Sequence, residues 1–318
     1  MELRQLRYFI AIADCGSFSK AAERVFIAQS ALSHQMAQLE DELGASLFHR
    51  SRRGVELTDA GSRFLPHAVS ILRQADDAVA SVRSGASAPS GKVVFGLPHS
   101  ASNALALPLL RAVREQLPLV QLELTEELTG NLSKQLRSGQ INLAVLFDDG
   151  HLGEFACTPL LRERMCLIAP AQAGKPAKAR ISLKQALALP LTLPASPHGV
   201  RPIIDAAAAK AGLPPPKVEA DISSISILRT TLLAGLGRTL LPVMPLRAEI
   251  DSGQLTATEV GSPPLARTLM LCAASHIPPS AAALAVQALV VDLVSTLCRS
   301  GQWLSLIHIS EPTRLGMI

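Results

Sequence analysis

The apolar positions at the start of the chain fall into three short helical patterns separated by turn residues. Leu3, Leu6, Phe9, Ile10 and Ala13 recur at helical spacing until Gly16, which predicts a first helix from Leu3 to Asp14. Ser17 or Ser19 is placed to cap a short second helix running through Val25, and the small Ala21 and Ala22 permit a tight helix crossing. Beyond Phe26, Ile27 and Ala28, the inward-facing Leu32, Met36, Leu39 and Leu43 mark a third helix from Gln29 to Leu43. Leu47 to Leu57 then reads as two short strands around a basic glycine turn, a β-wing. Thr58 is placed to cap a long helix in which Leu65, Ala68, Leu72, Ala75, Val79 and Val82 are spaced 3, 4, 3, 4 and 3, an a/d seam.

The period changes beyond residue 91. Lys92–Pro98, Gln121–Glu126 and Ile141–Phe147 are apolar, β-branched runs with helical stretches at 101–116 and 131–138 between them. After Pro194 the alternation returns, with helices at 200–211 and 224–234 and strands at 218–222 and 238–241. Such alternation predicts βαβ units on a largely parallel sheet, and two such halves predict a cleft between them. The expected fold is α+β and multidomain. It comprises a winged helix-turn-helix over 1–58, a long linker helix over 59–84, a small-residue hinge over 85–91 and an α/β domain of two Rossmann-like subdomains over 92–303. The stretch 304–318, LSLIHISEPTRLGMI, resembles the translated read-through of a sequencing adapter and is set aside as a non-native tail.

Composition narrows the function classes. A chain of 318 residues, 48% apolar, has room for about two domains, and with 3% aromatics their cores must be aliphatic. Cys15, Cys157, Cys166, Cys272 and Cys298 form no CxxC pair and have no His at ligand spacing, so buried reduced thiols and no metal site are expected. The N-terminus lacks the apolar core of an export signal, and no apolar run reaches the roughly 18 residues of a membrane span. Ser280 to Leu297 comes nearest, yet carries Gln287 and Asp292 and reads as a buried or amphipathic helix. A cytoplasmic protein without a membrane partner is expected. There is no GxSxG elbow, P-loop, HExxH or GxGxxG after the first strand of the α/β domain, so neither catalytic residues, nor a cofactor, nor enzyme activity is expected.

The net charge of +4 permits a nucleic-acid partner without demanding one, and through Arg53 seven basic side chains face six acidic ones. Placement therefore carries the inference. Gln29, Ser30, Ser33 and His34 occupy the polar face of the third helix at its N-terminus, where a helix-turn-helix meets base edges. Gln can bond adenine in a bidentate way, and Ser adapts to any base. Arg50, Arg52 and Arg53 put positive charge where a wing reaches phosphates or a minor groove.

These residues carry a family resemblance. F-x-x-x-A-x-x-G-S-F-S-x-A-A, A-Q-S-A-L-S-x-Q, L-E-x-E-L-G-x-x-L-F-x-R and R-R-G-V-x-L-T-x-A-G together resemble the N-terminal domain of LysR-type transcriptional regulators. The stretches LRxLRYF, SRRGVELT and HAxxILRQ are most similar to the nitrogen assimilation control branch of that family. LRSGQINLAVLF and LLAGLGRTLLP resemble the family's effector domain, which is related in fold to periplasmic solute-binding proteins. Ser30 stands where many members have Pro, His34 where many have Arg or Gln, and Asn142 where Asp is more usual.

The resemblance implies a sequence-specific regulator whose DNA contacts would come from Ser17, Ser19, Ala28, Gln29, Ser30, Ser33, His34, Gln35, Arg50, Arg52 and Arg53. Its long helix would join two copies through Leu65, Ala68, Leu72, Ala75, Val79 and Val82, giving a dimer or tetramer on double-stranded promoter DNA with inverted-repeat half-sites. RNA polymerase is the implied further partner. Loops at the strand ends, with His99, Ser100, Ala101, Ser102, Thr129, Ser196 and His198, are candidates to bind a small anionic or polar coinducer. Two other classes remain open at this point, a solute-binding module and a nucleoid-type binder without sequence preference.

Overall fold

The computed structural model describes residues 1–51, 54–83, 88–172, 179–195, 199–261, 264–304 and 307–308, excluding the side chains of residues 50, 51, 77, 80, 81, 83, 307 and 308. The chain forms two compact units, built on Met1–Ser87 and on Ala88–Leu136 with Ile141–Ile318.

In the first unit, helices α1 (Leu3–Cys15), α2 (Phe18–Arg24) and α3 (Gln29–Leu43) precede strands β1 (Phe48–Ser51) and β2 (Gly54–Leu57) and the long helix α4 (Asp59–Arg83). Gly16 ends α1 in the left-handed conformation, φ 58°, and Ser17 rather than Ser19 caps α2, accepting from Lys20 N–H. Phe9 organises the core, with its ring 5.2 Å from that of Phe48 and 5.1 Å from that of Phe64. Polar groups fix the wing to this core. Glu40 Oε1 accepts from the amides of Leu47, at 2.6 Å, and Phe48, at 3.3 Å, at the start of the wing. Thr58 Oγ1 donates to the Ser46 carbonyl at 2.7 Å and accepts from Gly61 N–H at 2.9 Å. A Cβ at Gly61 would lie 2.1 Å from the Leu47 carbonyl oxygen, so only glycine fits where α4 crosses β1.

The a/d stripe of α4 is divided. Ala68 is fully buried in the helix-turn-helix core, and Leu65 and Leu72 pack against that core. Ala68 is therefore not free for the expected self-pairing seam, and Leu65 and Leu72 are shared with the domain's own core, which α4 helps to close. Val79 is 49% exposed and Val82 84%, which leaves the C-terminal part of the stripe uncovered.

The second unit has two lobes. In the first, β3 (Gly91–Pro98) lies between β4 (Val120–Glu127) and β5 (Leu143–Phe147), both parallel to it, with α5 (His99–Gln116) and α6 (Thr129–Arg137) as crossovers. The expectation of a largely parallel sheet fails beyond β5. There β13 (Ala266–Ala274) is antiparallel to β5 and to β6 (Phe155–Arg164), and the six-stranded order is β14-β6-β13-β5-β3-β4. Strand β14 is Ile307–His308, so two residues of the stretch set aside as a tail are in the sheet edge.

The second lobe contains β7 (Cys166–Pro170), β8 (Arg180–Ser182), β9 (Leu191–Leu193), β10 (Val218–Asp221), β11 (Thr239–Leu241) and β12 (Leu255–Gly261). Strands β11, β7, β12 and β8 form one sheet and β10 with β9 another, beside α7 (Leu183–Leu187), α8 (Arg201–Lys210), α9 (Ile225–Leu233) and α10 (Arg247–Asp251). The chain leaves the first lobe after β6 and returns to it at β13. Helix α11 (Ala281–Arg299) is long and apolar enough to cross a membrane by length and composition, yet Ala282, Val286, Val290 and Val294 bury it in the first lobe's core.

Candidate nucleic-acid interface and effector cleft

Helix α3 matches its expected bounds, and its amphipathic spacing decides which side chains are displayed. Leu32, Met36 and Leu39 are buried, while Ala28, Gln29, Ser30 and His34 are exposed and Ser33 half-buried. Gln29 Nε2 donates to Ser33 Oγ at 2.9 Å, one turn along, so the free protein holds the two side chains together on the outer face. Ala28 occupies the N-cap and offers no side-chain acceptor. The first amides of α3 thus remain available to an external acceptor, and a phosphate oxygen suits that place. Gln35 departs from the expected set. It sits at the margin of the buried face, its Nε2 donating to Gln38 at 3.1 Å and its Oε1 buried without a partner among the described residues.

One residue of this surface was missed by the sequence reading. Phe26, in the turn between α2 and α3, is 93% exposed and has φ 57°, a left-handed conformation that L residues adopt at a cost. An aromatic flanked by apolar residues reads as core, so nothing in the pattern marked it. Ser17 is spent on its cap and Ser19 is exposed. The backbone of Arg50 is in β1, while its side chain, with Arg52 and Arg53, lies outside the described residues.

In the second unit, the carboxyl ends of β3, β4 and β5 meet where the chain runs from β3 to one side and then to the other, a topological switch point at which α/β sheets bind ligands. A cleft of about 380 Å³, part of it open to solvent, lies there between the lobes. Pro98, His99, Ser100, Glu127, Leu128, Thr129 and Phe147 line it from the first lobe, and Pro194, Gly199, Val200, Ser223, Ile225 and Leu241 from the second. Ser100 and Thr129 stand in the first turns of α5 and α6, whose N-terminal ends favour negative charge. Among the described residues, Thr129 Oγ1 is buried without a hydrogen-bond partner. His99 Nδ1 pairs with Glu126, and Glu127 accepts from Asn131 at 3.0 Å.

A buried charged chain stands behind Ser100. Arg267 on β13 donates from NH1 to Ser100 Oγ at 2.9 Å and from Nε to Glu163 on β6 at 2.7 Å. Its guanidinium carbon lies 4.1 Å from the centroid of the Phe147 ring. The other Glu163 oxygen accepts from Trp303 Nε1 at 2.6 Å. Burial pushes the Arg267 pKa down, and Glu163 works against that shift. Because a lone pair of Ser100 Oγ is taken by Arg267, its hydroxyl proton is left to point elsewhere, and the cleft adjoins it.

Of the expected effector residues, the structure brings together His99, Ser100 and Thr129. Ala101 is instead fully buried in the first lobe's core, and Ser102 turns its hydroxyl back to the His99 carbonyl at 3.1 Å, because both follow the inner face of α5. Ser196 and His198 lie outside the described residues. Asn142, the departure from the more usual Asp, joins β5 to β3 by accepting from Val94 N–H at 2.8 Å, a task an amide oxygen performs as well as a carboxylate. Among the described residues no group of His, Cys, Asp and Glu is arranged to hold a metal ion.

Residues 3–62 match the bacterial regulatory helix-turn-helix protein, lysR family, and residues 86–294 match the LysR substrate binding domain. The nitrogen assimilation regulatory protein nac of Klebsiella aerogenes is 33% identical over 93% of this chain and 96% of its own length. Full-length solved structures share the fold. An OxyR variant from Pseudomonas aeruginosa has a TM-score of 0.69 at 24% identity, over 92% of this chain and 94% of that one. CbnR in complex with its target DNA has a TM-score of 0.67 at 24% identity, over 93% and 99%. With a helix-turn-helix matching over its length and an effector domain matching beyond it, the chain belongs to the LysR family of DNA-binding transcriptional regulators.

Proposed function

We propose that copies of this chain, paired as a dimer or tetramer, bind promoter DNA at inverted-repeat half-sites and act on RNA polymerase in the cytoplasm to control genes of nitrogen metabolism. The observation that carries the DNA reading is the exposed first turn of α3, with Gln29, Ser30, Ser33 and His34 displayed beside an uncapped helix end. Gln29 and Ser33 exchange their mutual hydrogen bond for base edges, and His34 and Ser30 set the departure from relatives. Arg50, Arg52 and Arg53 contribute phosphate contacts from the wing. Val79 and Val82, with Ala75, are the part of α4 left for a second copy. The cleft takes a small metabolite bearing a carboxylate, received by the ends of α5 and α6 and the hydroxyls of Ser100 and Thr129. The nitrogen assignment rests on the similarity to nac.

Footprinting on promoter fragments and on random DNA tests the reading. Protected half-sites about 34 Å apart, or a multiple of that, are expected on the promoter alone. Uniform protection of both DNAs would overturn it in favour of a binder without sequence preference.

A further inference from the structure

Cys157 on β6 and Cys272 on β13 are direct cross-strand partners in an antiparallel pair, 115 positions apart in sequence, with their Sγ atoms 2.7 Å apart. Antiparallel neighbours hold their Cα atoms at about 4.5 or 5.5 Å, and both spacings fall within the range of about 4.4–6.8 Å that a disulfide accepts. The sulfurs need approach by only about 0.7 Å to reach the S–S bonding distance of about 2.0 Å. The two thiols are also unequally accessible. Cys272 is fully buried and Cys157 half-buried, which gives an attacking group at the surface and a resolving group beneath it.

We propose that Cys157 and Cys272 are a redox-convertible dithiol, oxidised to an intramolecular disulfide by a low-molecular-weight disulfide such as glutathione disulfide. The Cys157 sulfur attacks one sulfur of the oxidant, forming a mixed disulfide and releasing one thiol with the Cys157 proton. The Cys272 sulfur then displaces the second thiol, which leaves with the Cys272 proton. Two electrons pass to the oxidant, and two thiols are released for one disulfide formed. Burial, with the Asp148 carboxylate adding to it, holds both thiols above their usual range. The fast peroxide sensors are exposed thiolates of low pKa, so slow exchange with a disulfide is the chemistry that suits this pair.

Placement gives the bond a consequence. Strand β6 carries the chain out to the second lobe and β13 brings it back, so everything from β7 to β12 lies between the two cysteines. A disulfide would close that whole lobe into one covalent loop rooted in the first lobe's sheet, which restricts the unfolded chain.

The full chain is incubated in glutathione and glutathione disulfide at graded ratios, quenched in acid, alkylated and mapped by mass spectrometry. A loss of two hydrogens and a linked pair of peptides containing Cys157 and Cys272 are expected, with a higher thermal midpoint that dithiothreitol reverses. Cys157→Ser should show neither the link nor the reversible shift. The proposal is overturned if the wild-type chain keeps both thiols alkylatable in glutathione disulfide alone. It is equally overturned if Cys157 stops at the glutathione adduct, or if the link forms only in urea.

Discussion

Replacing Glu163 by Gln tests whether the chain from Trp303 to Ser100 is a buried, charge-compensated unit. Glu163 is 1% exposed and Arg267 2%, and among the described residues that carboxylate is the one anion bonded to the guanidinium. Glutamine keeps the shape but removes the charge, and arginine has no neutral form to which it can retreat. Breaking one side of a buried pair costs about 3–5 kcal/mol. The Ser100 hydroxyl, at 2.9 Å, and the Phe147 face, at 4.1 Å, still serve the guanidinium, so the lower end, about 3 kcal/mol, is expected. For a unit of this size that corresponds to a fall of about 6–12 °C in thermal midpoint. Trp303 is the sole tryptophan and sits in the network, so its fluorescence reports this unit, with far-ultraviolet circular dichroism as a control. The double variant Glu163→Leu with Arg267→Met removes both charges and leaves chiefly the Trp303 N–H without a partner, which costs about 1–3 kcal/mol. The double variant should therefore be no less stable than Glu163→Gln alone. A single variant within about 1 kcal/mol of wild type, or a double variant that loses the sum of its singles, would refute the reasoning.

Four other outcomes follow from the same geometry. Gln29→Ala and Ser33→Ala should each change which bases are preferred, by about 1–3 kcal/mol where a bidentate contact is lost, and equal weakening on every sequence in a binding-site selection would make them backbone contacts. Phe26→Asn should relieve a left-handed residue and stabilise the first unit by about 1 kcal/mol, read through the sole tyrosine, Tyr8, and an unchanged or lower midpoint would show that the turn holds no such strain. Gly61→Ala should cost at least about 2 kcal/mol and weaken operator binding, since its methyl would press on the Leu47 carbonyl; a silent substitution in both assays would mean that α4 shifts freely. Hydrogen bonds from Arg164 and Arg180 hold the Glu259 pKa below its usual value, so its contribution is present above the ordinary carboxylate pKa and is lost as pH falls through the lower folded value. Glu259→Gln should flatten the acid limb of second-unit stability below about pH 4, and an identical limb in the variant would show the pairs to be solvated.

What could be read from the sequence tracks how locally each element is specified. Helix α3 was legible to the residue because its apolar spacing and its terminal Gly44 are local signals. The parallel strands β3, β4 and β5 were legible because β-branched runs alternate with helices. Strand β6 was not, since Pro159 interrupts it, tolerated where it sits opposite Met270 beside a register shift. Strand β13, rich in Ala and Leu, has little β propensity of its own and is set by pairing on both sides with β5 and β6. The cleft shows the same division. Ser100 and Thr129 open helices after strands and could be found by that signal, whereas Arg267 and Glu163 become neighbours only through β6–β13 pairing. Cys157 and Cys272 escaped for the same reason, as spacing alone made them unrelated.

The stretches that carry the family resemblance hold two kinds of residue, some fixed by contacts inside the domain and others displayed on α3, and the structure separates them. Gly16 turns α1 and offers its carbonyl to Val55 N–H at 2.9 Å, Glu40 holds the start of the wing, and Thr58 and Gly61 fit α4 against β1. Each is fixed by a contact inside the domain, so a substitution there damages the frame whatever the operator. Ser30 and His34 are exposed on α3 and, among the described residues, make no side-chain hydrogen bond to the frame. Substitution there leaves the core intact and changes only the surface that α3 displays. The family match over residues 3–62 is therefore in good part a statement about how α3 is held. On the proposed reading, base preference would rest on Gln29, Ser30, Ser33 and His34, which α3 displays. An operator carried over from nac would test the frame rather than the preference, and selection from random DNA is the measurement that separates them.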